Sequence, residues 1–137
     1  MIDTPPIKNL IDLSGKVAIV TGGAKGIGMG IVNRLAEAGA SVVIADLNKE
    51  EADKAAAEIV AKGWKAKGIA VDVSNEEDVK RLVGEAVVDF GSVDILVNNA
   101  GIYPNIPVLR MTLSDFEKVL AVNLKGVFLC TKYSSEQ

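Results

Sequence analysis

The sequence has 137 residues, of which 49% are apolar, and this is enough for one domain with a hydrophobic core. Its 15 basic and 18 acidic residues are mixed along the chain, so no basic stripe favours nucleic acid as a partner. The lack of histidine excludes a Ser-His-Asp triad and His-ligated metal sites. A single cysteine cannot form an internal disulfide, and no run approaches the roughly 20 apolar residues of a membrane span. We therefore expect a cytoplasmic protein that binds neither a membrane nor a metal.

The hydrophobic pattern predicts alternating strands and helices after an N-terminal arm. Residues 1–14 form this arm, in which two adjacent prolines disfavour a regular helix and favour extended backbone. A glycine follows each of the first three predicted helices, as is common at helix C-termini. The predicted elements are strand one at 16–20, helix one at 26–38, strand two at 41–45, helix two at 49–62, strand three at 65–71, helix three at 75–90, strand four at 94–97 and helix four at 113–133.

This alternation predicts an α/β fold in which a parallel sheet carries helices on both faces. Right-handed crossovers then give the strand order 3-2-1-4, which is a three-layer, doubly wound, Rossmann-type sheet. Its topological switch point lies between strands one and four. Ligands of such sheets bind at the carboxyl ends of the strands beside the switch point. Two conspicuous turns, 21–28 and 98–101, are expected to meet there.

Two capping signatures predict where the last two helices begin. Ser74 precedes Glu77 by three residues, so Ser74 is predicted to cap helix three. Thr112 stands in the same relation to Asp115 and is predicted to cap helix four.

The turn after strand one reads Thr-Gly-Gly-Ala-Lys-Gly-Ile-Gly, from Thr21 to Gly28. Glycines permit positive φ and let the backbone approach a pyrophosphate, while the following helix directs free N–H groups at an anion. Such turns also end strands for geometric reasons alone. Lys25, within the turn, either pairs with a phosphate or is a solvated loop lysine.

Carboxylates follow the second and third predicted strands. Asp46 either accepts two hydrogen bonds from a ribose diol or caps helix two. As a ribose acceptor it would repel a 2′-phosphate and favour NAD, whereas Lys25 is compatible with NADP, and we give Asp46 the greater weight. Asp72 either accepts from the exocyclic amine of adenine, with Val73 packed on the ring, or is a turn residue, and the spacing alone slightly favours the turn.

Three asparagines accompany these carboxylates. Asn98 and Asn99 follow strand four and either bond to neighbouring backbone or point into the cleft. Asn123 falls on the apolar side of helix four, where a buried amide needs partners in a neighbouring strand or in a site. Cys130 is interpreted as a small core or interface side chain.

Taken together, the glycine turn, Asp46, Asp72, the Asn98–Gly101 turn and Asn123 resemble the classical short-chain dehydrogenase/reductase family, over about residues 10–135. The resemblance implies a pyrophosphate-binding turn, an adenosine-ribose acceptor, adenine contacts and a segment under the second ribose, with Thr21 bracing that segment. The predicted binding residues for NAD, or for NADP, are Gly22, Lys25, Gly26, Ile27, Gly28, Asp46, Leu47, Asp72, Val73, Asn99, Ala100 and Gly101. The resemblance also places Asn98, together with Ala100 and Gly101, in the segment under the second ribose.

The resemblance also implies a catalytic role for Asn123, as the asparagine of a tetrad whose helix distortion holds a water in a proton relay. The other members, a Ser and a Tyr-x-x-x-Lys pair, are absent from these residues, because Gln137 stands four residues after Tyr133. The tyrosine of such a pair is the acid/base of the reaction.

The sequence therefore predicts an NAD(P)-dependent oxidoreductase that exchanges hydride with a secondary alcohol or carbonyl compound. Residues 15–137 would be its cofactor-binding domain, incomplete after strand four and the long helix. The alternative is a truncated, non-catalytic nucleotide-binding or oligomerising fragment. For the 137 residues as they stand we expect dinucleotide binding without turnover, and a homo-oligomer formed through helix 113–133.

Overall fold

A computed structural model describes residues 6–137, except for the side chains of residues 7 and 8. The first five residues of the predicted arm lie outside this range. Ile7–Leu10 form a short helix, α1, so the prediction of extended backbone is wrong there. Pro6 occupies the N-cap with φ −55° and ψ 145°, where a proline needs no N–H group, and its carbonyl accepts the first hydrogen bond, from the N–H of Asn9.

The remaining strands and helices lie where they were predicted, with ends that differ by at most one residue. The strands and their intervening helices are β1 Val17–Thr21, α2 Gly26–Glu37, β2 Ser41–Asp46, α3 Lys49–Ala61, β3 Ala66–Ala70, α4 Glu76–Phe90 and β4 Ile95–Val97. A 3-10 turn at Val108–Arg110 precedes the long helix. That helix has three parts, α5 Leu113–Leu120, a π-helical turn Ala121–Lys125 and α6 Gly126–Ser134.

The strands form one parallel sheet in the predicted order β3-β2-β1-β4. In its register Val20 of β1 pairs with Ile44 of β2 and with Val97 of β4. Every residue of β1 is buried, as expected for a central strand covered on both faces. The switch point therefore lies at the end of β1, between β2 and β4.

Helices cover both faces of the sheet and create two cores. Successive β1 residues point to opposite faces, so Ile19 and Val20 belong to different cores. Ile19 packs with Leu82 of α4 and Leu129 of α6. The second core contains Val20 with side chains of α2 and α3, among them Val32 and Ile59. Cys130 is buried in the first core, and burial raises the pKa of its thiol to about 11.

The helix starts correct one prediction and confirm another. Asn75, rather than Ser74, caps α4, and its side chain accepts hydrogen bonds from two N–H groups of the first turn. Ser74 instead donates from its N–H and its hydroxyl to Oδ1 of Asp72, at 2.9 and 2.7 Å. Ser74 is thereby used in the turn, and the adjacent Asn is an equally good cap. The capping box of Thr112 and Asp115 opens α5 as predicted.

One face of the long helix carries exposed apolar side chains. These are Phe116, Leu120, Leu124, Val127 and Phe128. Association through this face stays a prediction. Among residues 6–137, no helix combines the length and apolar character required to cross a bilayer.

Candidate functional site

A cleft of about 310 Å³ opens at the carboxyl ends of the strands, beside the switch point. The structure brings together there the predicted residues Gly22, Lys25, Asp46, Leu47, Asp72, Val73, Asn99, Ala100 and Gly101. Gly26, Ile27 and Gly28 do not line the cleft, since they form the first turn of α2 immediately after Lys25. Four apolar lining residues were not predicted, namely Ala45, Val71, Ile102 and Val122. Ala45 and Val71 lie at the carboxyl ends of predicted strands, and that position could have indicated that they line the cleft.

The glycine turn depends on three glycines for two different reasons. Gly22 and Gly26 have φ values of +61° and +59°, a region that side chains with a Cβ atom rarely adopt. Gly28 has an ordinary φ, but a Cβ atom there would lie 2.1 Å from the carbonyl oxygen of Gly22. The turn can therefore fold back against the first turn of α2 only because position 28 lacks a side chain.

The N-terminus of α2 differs from those of the next two helices. Its N-cap, Lys25, makes no side-chain capping bond, and its first turn contains no acidic residue. Asn48 and Asn75 cap α3 and α4, and acidic residues follow both. The first N–H groups of an α-helix lack intrahelical partners and carry the positive end of its dipole. The start of α2 can therefore receive an anion at the edge of the cleft.

A hydrogen-bond network joins the end of β1 to the end of β4. The Thr21 hydroxyl accepts from the N–H groups of Asn99 and Ala100, at 3.0 and 3.1 Å, and donates to the Val97 carbonyl at 3.3 Å. The Asn99 side-chain nitrogen donates to the carbonyls of Thr21 and Gly22, at 3.0 and 2.9 Å. This network holds the glycine turn in place, and it uses the side-chain nitrogen of Asn99 to do so.

The other two asparagines secure the long helix. Asn98 does not line the cleft, since its side chain donates to the Thr131 hydroxyl of α6 at 3.2 Å. Asn123 lies in the π-helical turn, where its side chain accepts from the N–H of Ile102 and donates to the carbonyl of Ile102, both at 2.9 Å. Asn123 thus fixes the segment after β4 against the helix, and its Oδ1 lies 3.5 Å from the position of a Cβ atom on Gly101.

Asp46 lies half-buried at the end of β2, where it lines the cleft. It does not cap the following helix, because Asn48 does so. One of its carboxylate oxygens accepts from the N–H of Ala24 in the glycine turn, and the other from the N–H of Asn48, both at 3.3 Å. These two long bonds orient the carboxylate toward the loop without burying it.

Asp72 serves the turn after β3 and also lines the cleft. Its Oδ1 accepts both bonds from Ser74, whereas Oδ2 has no hydrogen-bond partner within residues 6–137. Its N–H donates to Asp78 at 3.0 Å, and this bond is the main cause that holds the pKa of Asp78 below its usual value. Asp72 is therefore a turn residue, as the spacing slightly favoured, and its Oδ2 is still available to a ligand.

Lys25 is exposed at the mouth of the cleft and forms an ion pair there. Its Nζ lies 2.7 Å from a carboxylate oxygen of Glu51 in the first turn of α3. The hydrogen bond with Glu51 is the main cause that raises the pKa of Lys25. Glu51 was not predicted to belong to the site, and no local pattern links it to a residue in a different loop.

Comparisons with known proteins agree with this geometry. Residues 16–137 match the family profile described as short chain dehydrogenase. The chain is 46% identical over 121 residues to 3beta-hydroxysteroid dehydrogenase 2 of Eggerthella lenta, covering 88% of this chain and 46% of that protein. It is 45% identical over 125 residues to 3-oxoacyl-(acyl-carrier-protein) reductase FabG of Aquifex aeolicus, covering 90% of this chain and 50% of the relative.

The fold is likewise similar to solved structures. A mutant short-chain dehydrogenase/reductase of Serratia marcescens matches with a TM-score of 0.85 and 37% identity, over 90% of this chain and 51% of that chain. The chain thus spans about half the length of the curated relatives that it matches.

Proposed function

The chain belongs to the short-chain dehydrogenase family of oxidoreductases, and on that premise we propose that its cleft binds a nicotinamide dinucleotide. One observation carries the proposal. The carboxylates Asp46 and Asp72 and the turn after β4 line one cleft beside the switch point, and the uncapped start of α2 lies at its edge, immediately after the lining residue Lys25. An anion site, two hydrogen-bond acceptors and apolar lining are what a dinucleotide requires.

The pyrophosphate would lie against the first turn of α2. A Cβ atom on Gly26 would have no atom of residues 6–137 within 4 Å, so the described part of the chain leaves the space in front of this turn open to a ligand. Free N–H groups and the helix dipole would stabilise the two phosphate charges there.

The adenosine half would lie between β2 and β3. We propose that Asp46 accepts hydrogen bonds from the ribose diol and that Oδ2 of Asp72 accepts from the adenine amine. Leu47, which is 75% exposed, and Val73 would cover the faces of the adenosine. Because the Asp46 carboxylate would repel a 2′-phosphate, NAD is the preferred cofactor and NADP the weaker one.

The second ribose and the nicotinamide would lie over Ala100 and Gly101, beside the π-helical turn that carries Asn123. When bound, the cofactor would exchange hydride with a secondary alcohol or a carbonyl carbon. The names of the relatives, a hydroxysteroid dehydrogenase and a 3-oxoacyl reductase, support this class of substrate. π-Helical turns in α-helices often occur at functional sites. The position of Asn123 in such a turn supports a role in shaping the reaction site.

The acid/base of the reaction would come from outside these residues. No Tyr-x-x-x-Lys pair occurs in the 137 residues, and no histidine is present to replace it. We therefore propose that this polypeptide binds the cofactor and does not by itself transfer hydride. Purified protein with NAD and a panel of secondary alcohols tests this statement, and steady NADH formation would overturn it.

Binding itself is tested by titration with NADH, followed through nicotinamide fluorescence. In Gly26→Asp, a new carboxylate lies at the helix start, and aspartate is among the residues that tolerate positive φ. We expect affinity to fall by at least about tenfold, since a like charge opposes the pyrophosphate. Gly26→Asn places a side chain of the same size, which also tolerates positive φ, at the same position without the charge, and it should change affinity much less. Absence of saturable binding by the folded protein would refute the proposal.

A further inference from the structure

A shallow pocket, here called the side pocket, adjoins the cleft at the start of α3. It is lined by Lys25, Asp46, Leu47, Asn48, Lys49, Glu50 and Glu51. Three of these residues also line the cleft, so the two spaces are continuous. If Asp46 binds the adenosine ribose diol, as proposed above, a substituent on the 2′-oxygen would lie beside Asp46, which lines the side pocket as well.

Carboxylates already engage both ammonium groups of the side pocket. Lys25 pairs with Glu51 at 2.7 Å, and Lys49 pairs with Asp53 one helical turn further along α3. The lining contains two lysines and three carboxylates, so its formal charge is negative. The carboxylates of the side pocket would repel a 2′-phosphate. Lys25 could not pair with that phosphate while it is paired with Glu51.

We propose that Glu51 is a specificity-determining residue that disfavours 2′-phosphorylated dinucleotides, and that it acts by holding Lys25 in an ion pair. This inference rests on the proposed function. Lys25 is the lysine of the glycine turn, and it lines both the cleft and the side pocket, which makes it a candidate to neutralise a 2′-phosphate. As long as Glu51 holds it, a phosphate must either break the pair or accept the Glu51 carboxylate as a neighbour.

The fold places Glu51 for this role. Asn48 caps α3 and accepts a hydrogen bond from the N–H of Glu51 at 3.2 Å, which fixes the backbone of Glu51 close to the end of β2. From there its side chain reaches back across to the glycine turn. Glu50 occupies the same first turn and the same pocket lining, and it makes no ion pair within the described residues. Both glutamates stabilise the helix start through its dipole, but only the Glu51 carboxylate contacts Lys25.

The expected size of the effect follows from exposure. The Lys25 and Glu51 side chains are 72% and 40% exposed, so water and salt screen their interaction. Removing the Glu51 charge should therefore change the ratio of NADPH to NADH affinities severalfold and no more.

The test compares Glu51→Gln with Glu50→Gln, which removes the same charge without breaking the Lys25 pair. Dissociation constants for NADH and NADPH are measured by fluorescence at low ionic strength. We expect Glu51→Gln to tighten NADPH by about three- to tenfold and NADH by less than about twofold. The gain should shrink at high salt and disappear in Lys25→Met/Glu51→Gln, where the Lys25 ammonium group is gone and Lys49 stays paired with Asp53.

The outcomes separate this inference from the proposed function. If the folded wild-type protein binds neither dinucleotide, both are wrong. If it binds NADH, and Glu51→Gln leaves the NADPH to NADH ratio unchanged or Glu50→Gln shifts it equally, the role of Glu51 is refuted while the dinucleotide site stands. A gain that persists in the double variant would show that Glu51 acts by charge alone and not through Lys25, which also overturns the inference.

Discussion

Gly28 offers a sharp test of how the glycine turn is built. The Cβ atom of Gly28→Ala would lie 2.1 Å from the carbonyl oxygen of Gly22 and 2.7 Å from the side-chain nitrogen of Asn99. Real Cβ atoms essentially never approach within 3.0 Å, so these groups must separate by 0.9 Å or more, the difference between 3.0 and 2.1 Å. Relief of the first contact requires moving α2 away from Gly22, because displacing Asn99, which donates to the turn at 2.9 Å, would relieve only the second.

The cost can be set against a matched substitution in the same helix. Overpacking costs about 1–3 kcal/mol. Loss of the two hydrogen bonds that the Asn99 side chain donates to the turn adds about 1 kcal/mol for each bond. The alanine regains about 1 kcal/mol of helix propensity. We therefore expect Gly28→Ala to lower the free energy of unfolding by about 2–4 kcal/mol. Gly30→Ala meets no atom within 4 Å and should raise the free energy of unfolding by about 0.5–1 kcal/mol.

Urea denaturation followed by circular dichroism measures both values. If α2 packs this closely against the turn, the two alanine variants change the free energy of unfolding in opposite directions. Equal stability of Gly28→Ala and Gly30→Ala would refute the close approach of the turn and α2.

Three further predictions concern single side chains. Asp46→Ala should weaken NADH by about tenfold, as expected for two lost hydrogen bonds, and NADPH by less; an unchanged ratio of affinities in calorimetry would remove Asp46 from the ribose site. The pKa of Asp94 is held low chiefly by the N–H of Val17, so its stabilisation is present above its usual pKa and is lost as pH falls through the lower, folded value. The difference in unfolding free energy between wild type and Asp94→Asn should accordingly shrink below about pH 4, and a constant difference would contradict this. Cys130 is 1% exposed with a pKa of about 11, so a thiol reagent should label it only after denaturation, and rapid labelling of the folded protein would contradict its burial.

The sheet was predictable because it rests on rules that act along the chain. Alternation of strands and helices, with right-handed crossovers, leaves a few orders for four parallel strands, and 3-2-1-4 is the Rossmann order among them. Burial of β1 on both faces follows from its unbroken apolar run. The same rules place the ends of β1 and β4 side by side, which is why Asn99 could be assigned to the cleft before its bonds to Thr21 and Gly22 were known.

One local error arose because two neighbouring residues, Ser74 and Asn75, compete to cap α4. Ser74 and Asn75 are equally good caps, and the contact of Ser74 with Asp72 decides between them. At the N-terminus, the preference of prolines for extended backbone did not forbid a helix that begins immediately after Pro6. The pairing of Lys25 with Glu51 joins two loops that only the folded sheet brings together, so no spacing in the sequence could indicate it.

Binding of a dinucleotide in the cleft beside the switch point can be followed residue by residue in an NMR titration of ¹⁵N-labelled protein with NAD. We predict saturable shifts of the backbone amides at residues 22–28, 46–47, 72–73 and 99–101. Amides at the opposite ends of the strands, such as those of Val17 and Ser41, should remain unchanged. Shifts centred on those opposite ends, or no saturable shift at all, would contradict dinucleotide binding in this cleft.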